Sequence, residues 1–519
     1  MRPVTLLVAC LLLSPVATLP VAGHLGDAHI ETVYPNPVAD EDAGEFVVVH
    51  VAGPDSQYTL TDGEDRITFS GTASGRLVLS SAPNRTRELV SGPVVRMPLA
   101  LANGGETLRL STENETVDTL SYTDAPESET YDGSWTPLGA TAFEVVHSDG
   151  GPARTFVLPD SPEVPVSVIE NASSRVLLAG YTFSDERVAD ALIAAHERGV
   201  AVRVFVDASP VGGRTRAGAR ALTRLARAGI EVRVSGGPHA RYRFHHAKYA
   251  VADDTALVMT ENWKPAGTGG RSSRGWGVAL RDGETAETLA DVFRADAGWR
   301  NAVPWTEYRT GRTFQHDPPA NGSFPTRFAP ETVPVERASV LVAPDNAEGA
   351  MVRRLRTAND SIDVVQVSIG SRRLPLLNAT LAAAERGVEV RVLLSSAWYV
   401  REENRAMVGW LNRRAESEGL PLEARLAAPR NRFEKVHAKG VIVDDSVLVG
   451  SVNWNRNSVR ENREVVLALE GERVAGYYRE VFAADWRASG TRIPVVLVAS
   501  VAVGALAALA VGRRLRWER

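Results

Sequence analysis

This sequence contains few cysteines and few lysines, and it has no recognisable metal-binding motif. Its 519 residues contain one cysteine, Cys10, so no second cysteine exists to form an intrachain disulfide bond. There is no HExxH motif and no Asp-rich cluster, which leaves no recognisable pattern for a metal ion. Only four of the 58 basic residues are lysines: Lys248, Lys264, Lys435 and Lys439. We therefore expect a fold held by packing alone, with no metal ion and no other cofactor.

Apolar runs stand at the two ends of the chain. Residues 1–23 place one arginine before an apolar run that ends in small residues, which predicts a secretory signal peptide; lipid modification of Cys10 is the alternative. Residues 493–512 are 20 uncharged, mainly apolar residues followed by four arginines, which predicts a transmembrane helix with a cytoplasmic C-terminus; a buried core helix is the alternative. Together these runs predict a single-pass protein of the cell membrane whose other domains are extracellular.

Residues 24–147 predict an all-β domain. Short alternating runs such as GEFVVVHVAG, DRITFSG and ETLRLST are separated by Gly, Asp and Asn turns, a pattern typical of a small immunoglobulin-like sandwich. The segments VYPNP, GEFVVVHV, LANGGETLRL and TVDTLSY resemble a lamin-tail domain. This resemblance implies a role in binding or positioning, with a partner that the sequence does not identify.

The rest of the chain contains an internal duplication. Strands alternate with helices over residues 155–305 and again over residues 335–488, which predicts an α/β fold. VADALIAAHERGVAVRVFVD in the first half matches NATLAAAERGVEVRVLLS in the second, and VFRADAGW matches VFAADW. The matching residues lie about 188 to 191 positions apart. The sequence therefore predicts a multidomain chain: a β-sandwich, a duplicated α/β domain and one C-terminal transmembrane helix.

Each half of the duplication carries the same short motif. The first half has His246, Lys248 and Asp253, and the second has His437, Lys439 and Asp444, both in the spacing HxKxxxxD. Residues i and i+2 of a strand point to the same face, so each motif presents one imidazole and one ammonium group together. One such motif is weak evidence of function, but two copies in register within a repeat are strong evidence.

Two histidine and lysine pairs in one site suit chemistry at phosphorus. One histidine can attack phosphorus while the other protonates the leaving oxygen, and two lysines can neutralise the phosphate oxygens. The tails that follow the motifs, DDTALVMTENW and DDSVLVGSVNW, add polar side chains that can donate hydrogen bonds to the substrate. These candidate substrate-binding residues are Thr260, Asn262, Ser451 and Asn453. These residues therefore predict a reaction at a phosphate group.

These repeated motifs are similar to those of the phospholipase D superfamily. The resemblance covers both halves and implies one site that works through a phosphohistidine intermediate. It implies that His246 is the nucleophile and that His437 is first the general acid and then the base. It also implies an orienting or structural role for Asp253 and Asp444. Glu464, in RENREVVLAL, matches the family's downstream acid, which holds a catalytic histidine.

The first half departs from this pattern at the downstream acid. Aligning RGWGVAL with REVVLAL places Gly275 where the second half has Glu464. We therefore expect an asymmetric site in which Glu464 accepts a hydrogen bond from Nδ1 of His437 and makes His437 the better proton donor. His245, next to the first motif, fails the HxK register and is expected to be a flanking residue.

The sequence leaves the class of phosphodiester open. Basic residues precede both motifs and predict a mouth that attracts anions: Arg241, Arg243, Arg430, Arg432 and Lys435. The expected membrane tether favours a phospholipase D-type hydrolase of phospholipids at the outer face of the membrane. The alternatives are an extracellular nuclease of the same superfamily and a non-catalytic surface-binding protein.

Overall fold

The computed structural model describes residues 28–490, apart from 38–41, 52, 54–55, 73–74, 99, 237–239 and 318–319. The predicted signal peptide at 1–23 and the predicted membrane span at 493–512 lie outside the described residues. The chain divides into two compact units, the first ending at Trp135 and the second beginning at Thr136.

The first unit is built almost entirely of strands. Its elements are β1 His29–Tyr34, β2 Phe46–His50, β3 Gln57–Thr61, β4 Arg66–Ser70, β5 Arg76–Ser80, α1 Pro83–Leu89, β6 Val94–Arg96, β7 Gly105–Ser111, β8 Thr116–Thr123 and β9 Glu129–Tyr131, followed by β10 Trp135–Pro137 at the boundary between the units. They form a six-stranded sheet, in the order β10-β9-β1-β2-β5-β6, and a four-stranded sheet, β4-β3-β7-β8. Apolar side chains of both sheets, among them Val47 and Leu108, share one core. The immunoglobulin-like topology and the lamin-tail resemblance stay predictions.

The second unit contains the duplicated part of the chain. The first half consists of β11 Val146–Ser148, β12 Gly151–Leu158, α2 Val164–Glu170, β13 Arg175–Gly180, α3 Glu186–Glu197, β14 Ala201–Asp207, α4 Arg216–Arg227, β15 Glu231–Ser235, β16 Tyr249–Ala252, β17 Thr255–Met259, β18 Ser273–Arg281, α5 Gly283–Ala297, β19 Ala302–Pro304 and α6 Trp305–Tyr308. The second half consists of β20 Glu331–Val335, β21 Arg337–Ala343, α7 Ala347–Arg356, β22 Ser361–Gln366, α8 Pro375–Glu385, β23 Glu389–Leu394, α9 Arg401–Glu418, β24 Leu422–Leu426, β25 Lys435–Val436, β26 Gly440–Val443, β27 Ser446–Gly450, α10 Arg456–Arg460, β28 Glu464–Glu470 and α11 Glu472–Ala488.

The two halves repeat one strand order, which confirms the predicted duplication. In the first half the order is β12-β18-β17-β16-β13-β14-β15, and in the second it is β21-β28-β27-β26-β22-β23-β24. In both halves the last three strands of this order are parallel and the others antiparallel. The halves also exchange edge strands, because β11 pairs with β21 and β20 pairs with β12. This exchange joins the halves into one body.

Local sequence signals explain why the helices pack where they do. In α3, Val188, Leu192 and Ala195 share the buried face, and the side chain of Asp185 caps the first turn by accepting from the N–H of Arg187. Helices α2 to α4 and α7 to α9 contribute their apolar faces to separate cores of the two halves. Helices α5 and α11 contribute to a third core that both halves share.

The predicted membrane-spanning architecture needs correction. Within the described part of the chain, no helix is long and apolar enough to cross a bilayer. Even the 18-residue helix α9 carries charged residues along most of its length, so it suits a surface position with one apolar stripe. The fold class that included a C-terminal transmembrane helix, and the single-pass membrane location inferred from it, are contradicted by this finding. For the described part of the chain, the corrected fold class is a strand-rich unit followed by a duplicated α/β fold.

Candidate active site

The two HxK motifs lie in extended segments that lead into equivalent strands, β16 and β26. Each segment pairs with the other half of the duplication. The backbone N–H of His246 donates to the carbonyl of Arg463, and that of His437 donates to the carbonyl of Arg274, both at 2.9 Å. Arg274 and Arg463 stand at equivalent positions in β18 and just before β28. This reciprocal pairing brings the motifs of both halves to one interface and hence to one site.

Each histidine contacts a carboxylate. Nδ1 of His246 lies 2.9 Å from both carboxylate oxygens of Glu464, and Nδ1 of His437 lies 3.2 Å from Oε2 of Glu261. The prediction that Glu464 holds His437 is therefore wrong. The reason is the reciprocal pairing of the two halves, which places Glu464, the residue after Arg463, beside His246 of the first half. A carboxylate at Nδ1 favours the tautomer whose Nε2 is free of a proton and able to attack or accept one.

Glu261 occupies the space left by Gly275. A Cβ atom placed on Gly275 would lie 2.2 Å from Cγ of Glu261, so the side chain of Glu261 fills the position that the aligned acid would take. The prediction that the first half lacks this acid is therefore wrong. Its acid is Glu261, the residue after Thr260, instead of a residue of β18. The sequence contained an indication of this acid, because TENW has Glu261 where the matching SVNW has Val452.

The motif lysines are buried among these groups. Nζ of Lys439 lies 2.7 Å from the carbonyl oxygen of its own His437 and 3.2 Å from Nδ1 of that ring. Nζ of Lys248 donates to the carbonyl oxygen of His246. Burial lowers the pKa of Lys439 to about 8 and that of Lys248 well below its usual value. Each ammonium group also acts on the histidine of the opposite half, which is consistent with a single shared site.

Burial dominates the protonation of the site. It lowers the pKa of both His246 and His437 to about 4, even though the adjacent carboxylates work in the opposite direction. Burial opposes ionisation of Glu464 as well, but the hydrogen bond from His246 and the positive charge of Lys248 help to hold its pKa below the usual value. At neutral pH the site therefore contains two neutral imidazoles, each beside a carboxylate.

Comparison with known proteins agrees with this geometry. The family described as Cardiolipin synthase, PLD-like domain, matches residues 166–297 and 351–486, which is more than half of the chain. The chain belongs to the phospholipase D superfamily. The matched ranges contain both HxK motifs, Glu261 and Glu464.

Curated relatives of this phospholipase D-superfamily chain include two bacterial proteins named cardiolipin synthase A. The protein of Yersinia pseudotuberculosis serotype O:1b is 27% identical over 307 residues, and that of Escherichia fergusonii is 26% identical over 311. Each alignment covers 55% of this chain and 58% of the relative, so the chain spans little more than half of their length. Among solved structures, phosphatidylserine synthase of Haemophilus influenzae Rd KW20 aligns at 16% identity and a TM-score of 0.49, covering 64% of this chain and 86% of that chain.

The polar side chains that follow the motifs fall into two groups. The hydroxyls of Thr260 and Ser451 are buried and accept backbone N–H bonds from Trp276 and Val465, both at 3.0 Å. The hydroxyls thus join neighbouring strands. The side-chain oxygen of Asn262 is buried and has no hydrogen-bond partner among the described residues. Asn453 is partly exposed. Substrate binding by all four residues stays a prediction.

The two motif aspartates lie in turns that begin after β16 and β26. Asp253 accepts hydrogen bonds from the backbone and hydroxyl groups of Ser173 and Ser174, and Asp444 accepts from three backbone N–H groups starting at Asn359. Burial works against their ionisation, but these hydrogen bonds hold the pKa of both carboxyls below the usual value. The geometry favours the structural role that the resemblance allowed, rather than contact with a reacting phosphate.

Buried ion pairs hold the active-site strands of the two halves together. Nε of Arg463 lies 3.0 Å from Asp296 in α5, and Nε of Arg274 lies 3.0 Å from Asp485 in α11. The sequence contained these aspartates in the repeated VFRADAGW and VFAADW segments, but it did not reveal their partners. His245 joins the first pair, with Nε2 3.2 Å from Asp296, and is fully buried, as suits a flanking residue.

The predicted basic mouth is largely neutralised. Arg241 lies 3.5 Å from Asp296, Arg243 lies 3.1 Å from Glu461, and Arg432 lies 2.6 Å from Asp485. Arg241 and Arg432 are therefore mainly internal ion-pair partners, whereas the side chain of Arg243 stays partly exposed. Among the described residues, no group of three or more His, Cys, Asp or Glu side chains is arranged to hold a metal ion.

Proposed function

We propose that this chain cleaves phosphodiester bonds of phospholipids through a covalent phosphohistidine. The observation that carries the proposal is the meeting of two HxK segments at one interface, each histidine beside a carboxylate of a different segment. Such a pair supplies a nucleophile and a proton donor in one place. The non-catalytic alternative is disfavoured because both halves retain histidine, lysine and carboxylate in contact.

In the first step, Nε2 of His246 attacks phosphorus and the bond from phosphorus to the leaving alcohol breaks. His437 gives a proton to the departing oxygen. Because burial keeps the pKa of His437 at about 4 in the free protein, the anionic substrate must raise that pKa as it binds. Glu261 supports the same change, since its carboxylate stabilises the protonated ring.

In the second step, His437 accepts a proton from water or from an acceptor alcohol. The oxygen attacks phosphorus, the bond between phosphorus and His246 breaks, and the neutral imidazole is restored. Lys248 and Lys439 neutralise the phosphate oxygens as charge builds on them. The nature of the acceptor decides between hydrolysis and transfer, and both use the same groups.

Phospholipid is the favoured substrate class because the curated relatives that align with 55% of the chain are named cardiolipin synthase A. The test offers the purified protein phosphatidylglycerol vesicles and single-stranded DNA in parallel, each with and without EDTA. We expect loss of phospholipid, intact DNA and full activity in EDTA, since histidine and lysine supply the chemistry. Cleavage of DNA alone would establish the nuclease alternative. Activity that disappears in EDTA and returns with a divalent ion would require a metal mechanism.

The buried Lys439 predicts an alkaline limit to activity. Burial lowers the pKa of Lys439 to about 8, so its positive charge is lost as pH rises through that value. We expect kcat/KM to fall above about pH 8 in the wild type. In Lys439→Arg the fall should move to higher pH, because a guanidinium stays protonated. The matched control Lys435→Arg should keep the wild-type profile; an unchanged limit in Lys439→Arg would show that another group sets it.

A further inference from the structure

Exposed apolar side chains are concentrated in two loops of the second unit. Among the described residues from 136 to 490, the exposed large hydrophobic side chains are Val211 at 80%, Trp398 at 84% and Tyr399 at 43%. Val211 lies four residues after β14 and Trp398 lies four residues after β23. Because β14 and β23 are equivalent strands of the duplication, the two halves expose apolar side chains in corresponding loops.

Both loops border the candidate active site. On the first side, the backbone N–H of Val211 donates to the hydroxyl of Tyr181, whose ring centroid lies 4.6 Å from that of His246. On the second side, the rings of Trp398 and Tyr399 meet edge to face at 5.7 Å. One exposed loop therefore stands beside the first histidine.

The second loop is joined to the other histidine through a lysine. Nζ of Lys435 lies 5.6 Å from the ring centroid of Tyr399, and Lys435 is two residues before His437. Lys264 is close enough to Lys435 for its pKa to be lowered, chiefly by burial and then by that second positive charge. The aromatic loop therefore lies beside cationic groups.

We infer that Val211, Trp398 and Tyr399 form a docking surface for a phospholipid bilayer, placing the active site against its substrate. The inference rests on the proposed phospholipid function. Tryptophan and tyrosine favour the headgroup level of a bilayer, because the apolar part of the ring can contact lipid there while its polar group contacts water. Lysines nearby favour anionic headgroups. Single apolar side chains on two loop tips suit insertion into lipid better than a protein interface, which needs a broad contiguous patch.

The test compares the full-length chain with Trp398→Ala, Val211→Ser and the control Val95→Ser. Val95 is an exposed valine of the first unit, so it matches the chemistry of Val211 and belongs to neither of the two loops. Binding is measured by sedimentation with phosphatidylcholine vesicles containing phosphatidylglycerol. Turnover of soluble bis(p-nitrophenyl) phosphate reports whether the site is intact. We expect the vesicle affinity of Trp398→Ala to fall about tenfold and that of Val211→Ser about threefold, with soluble turnover unchanged in all variants.

Several outcomes would overturn the inference. These are a wild type that does not bind vesicles, loop variants that bind like Val95→Ser, or loop variants that lose soluble turnover but keep vesicle affinity. Loss of oligonucleotide binding by Trp398→Ala with vesicle binding intact would assign the loop to nucleic acid instead. The proposed function fails separately: a wild type that binds vesicles through these loops but consumes no phospholipid refutes the activity and leaves the docking surface standing.

Discussion

Replacing either His246 or His437 with alanine is expected to lower phospholipid turnover by about 10⁴-fold or more, because each removes a group that forms or breaks bonds. The two losses should be similar in size although the residues belong to different halves. Steady-state rates of the two variants and of the wild type measure this directly.

The matched control for these variants is His196→Ala, which changes a histidine in the last turn of α3. It should keep the wild-type rate. All three variants should unfold at temperatures close to that of the wild type, so that loss of turnover reports chemistry. Near-normal activity in either active-site variant would mean that the halves do not share one site.

Conversion of the two carboxylates to amides should separate the roles of the histidines. Glu261→Gln removes the group that supports protonated His437, so first-turnover release of a poor leaving group such as an alcohol should slow by about 10²- to 10⁴-fold. Release of p-nitrophenolate, which needs no proton, should be nearly unaffected. Glu464→Gln weakens His246 as the nucleophile and should slow both leaving groups equally. The measured quantity is the ratio of the two single-turnover rates in each variant.

The position of Gly275 supplies a rescue experiment. Glu261→Val together with Gly275→Glu restores the arrangement of the second half, which has Val452 and Glu464 at the aligned positions. If a carboxylate beside His437 is what matters, this double variant should recover much of the alcohol release that Glu261→Val alone loses. Equal rates for the single and double variants would mean that Glu261 acts in some other way.

The sequence predicted the duplication and the motif residues because both are local patterns. The apolar face of α3 and the spacing of HxKxxxxD can each be recognised from residues that are close together in the sequence. The family match and the repeated strand order confirm the duplicated α/β fold. Two copies of one motif in register also indicated one shared site.

The pairing of acids with histidines was not predictable in the same way. His246 and Glu464 are 218 residues apart, and their contact depends on which half's strand lies beside which motif. The alignment of the two halves indicated that the acid is missing at Gly275. An alignment compares positions along the sequence and does not show which side chains are neighbours in the fold. A neighbouring side chain, Glu261, fills that space from another strand end. The positive charge of the predicted basic mouth was overestimated for a related reason, because local charge does not reveal buried partners such as Asp296 and Asp485.

The most direct test of the central claim is to trap the covalent intermediate. In His437→Ala, bis(p-nitrophenyl) phosphate can still lose its phenolate without a proton, while the missing base slows hydrolysis of the adduct. Rapid quenching followed by peptide mapping should find one p-nitrophenyl phosphoryl group, on His246. An adduct on a different residue, or phenolate release with no adduct at any time point, would contradict a site in which the first half provides the nucleophile and the second half the proton.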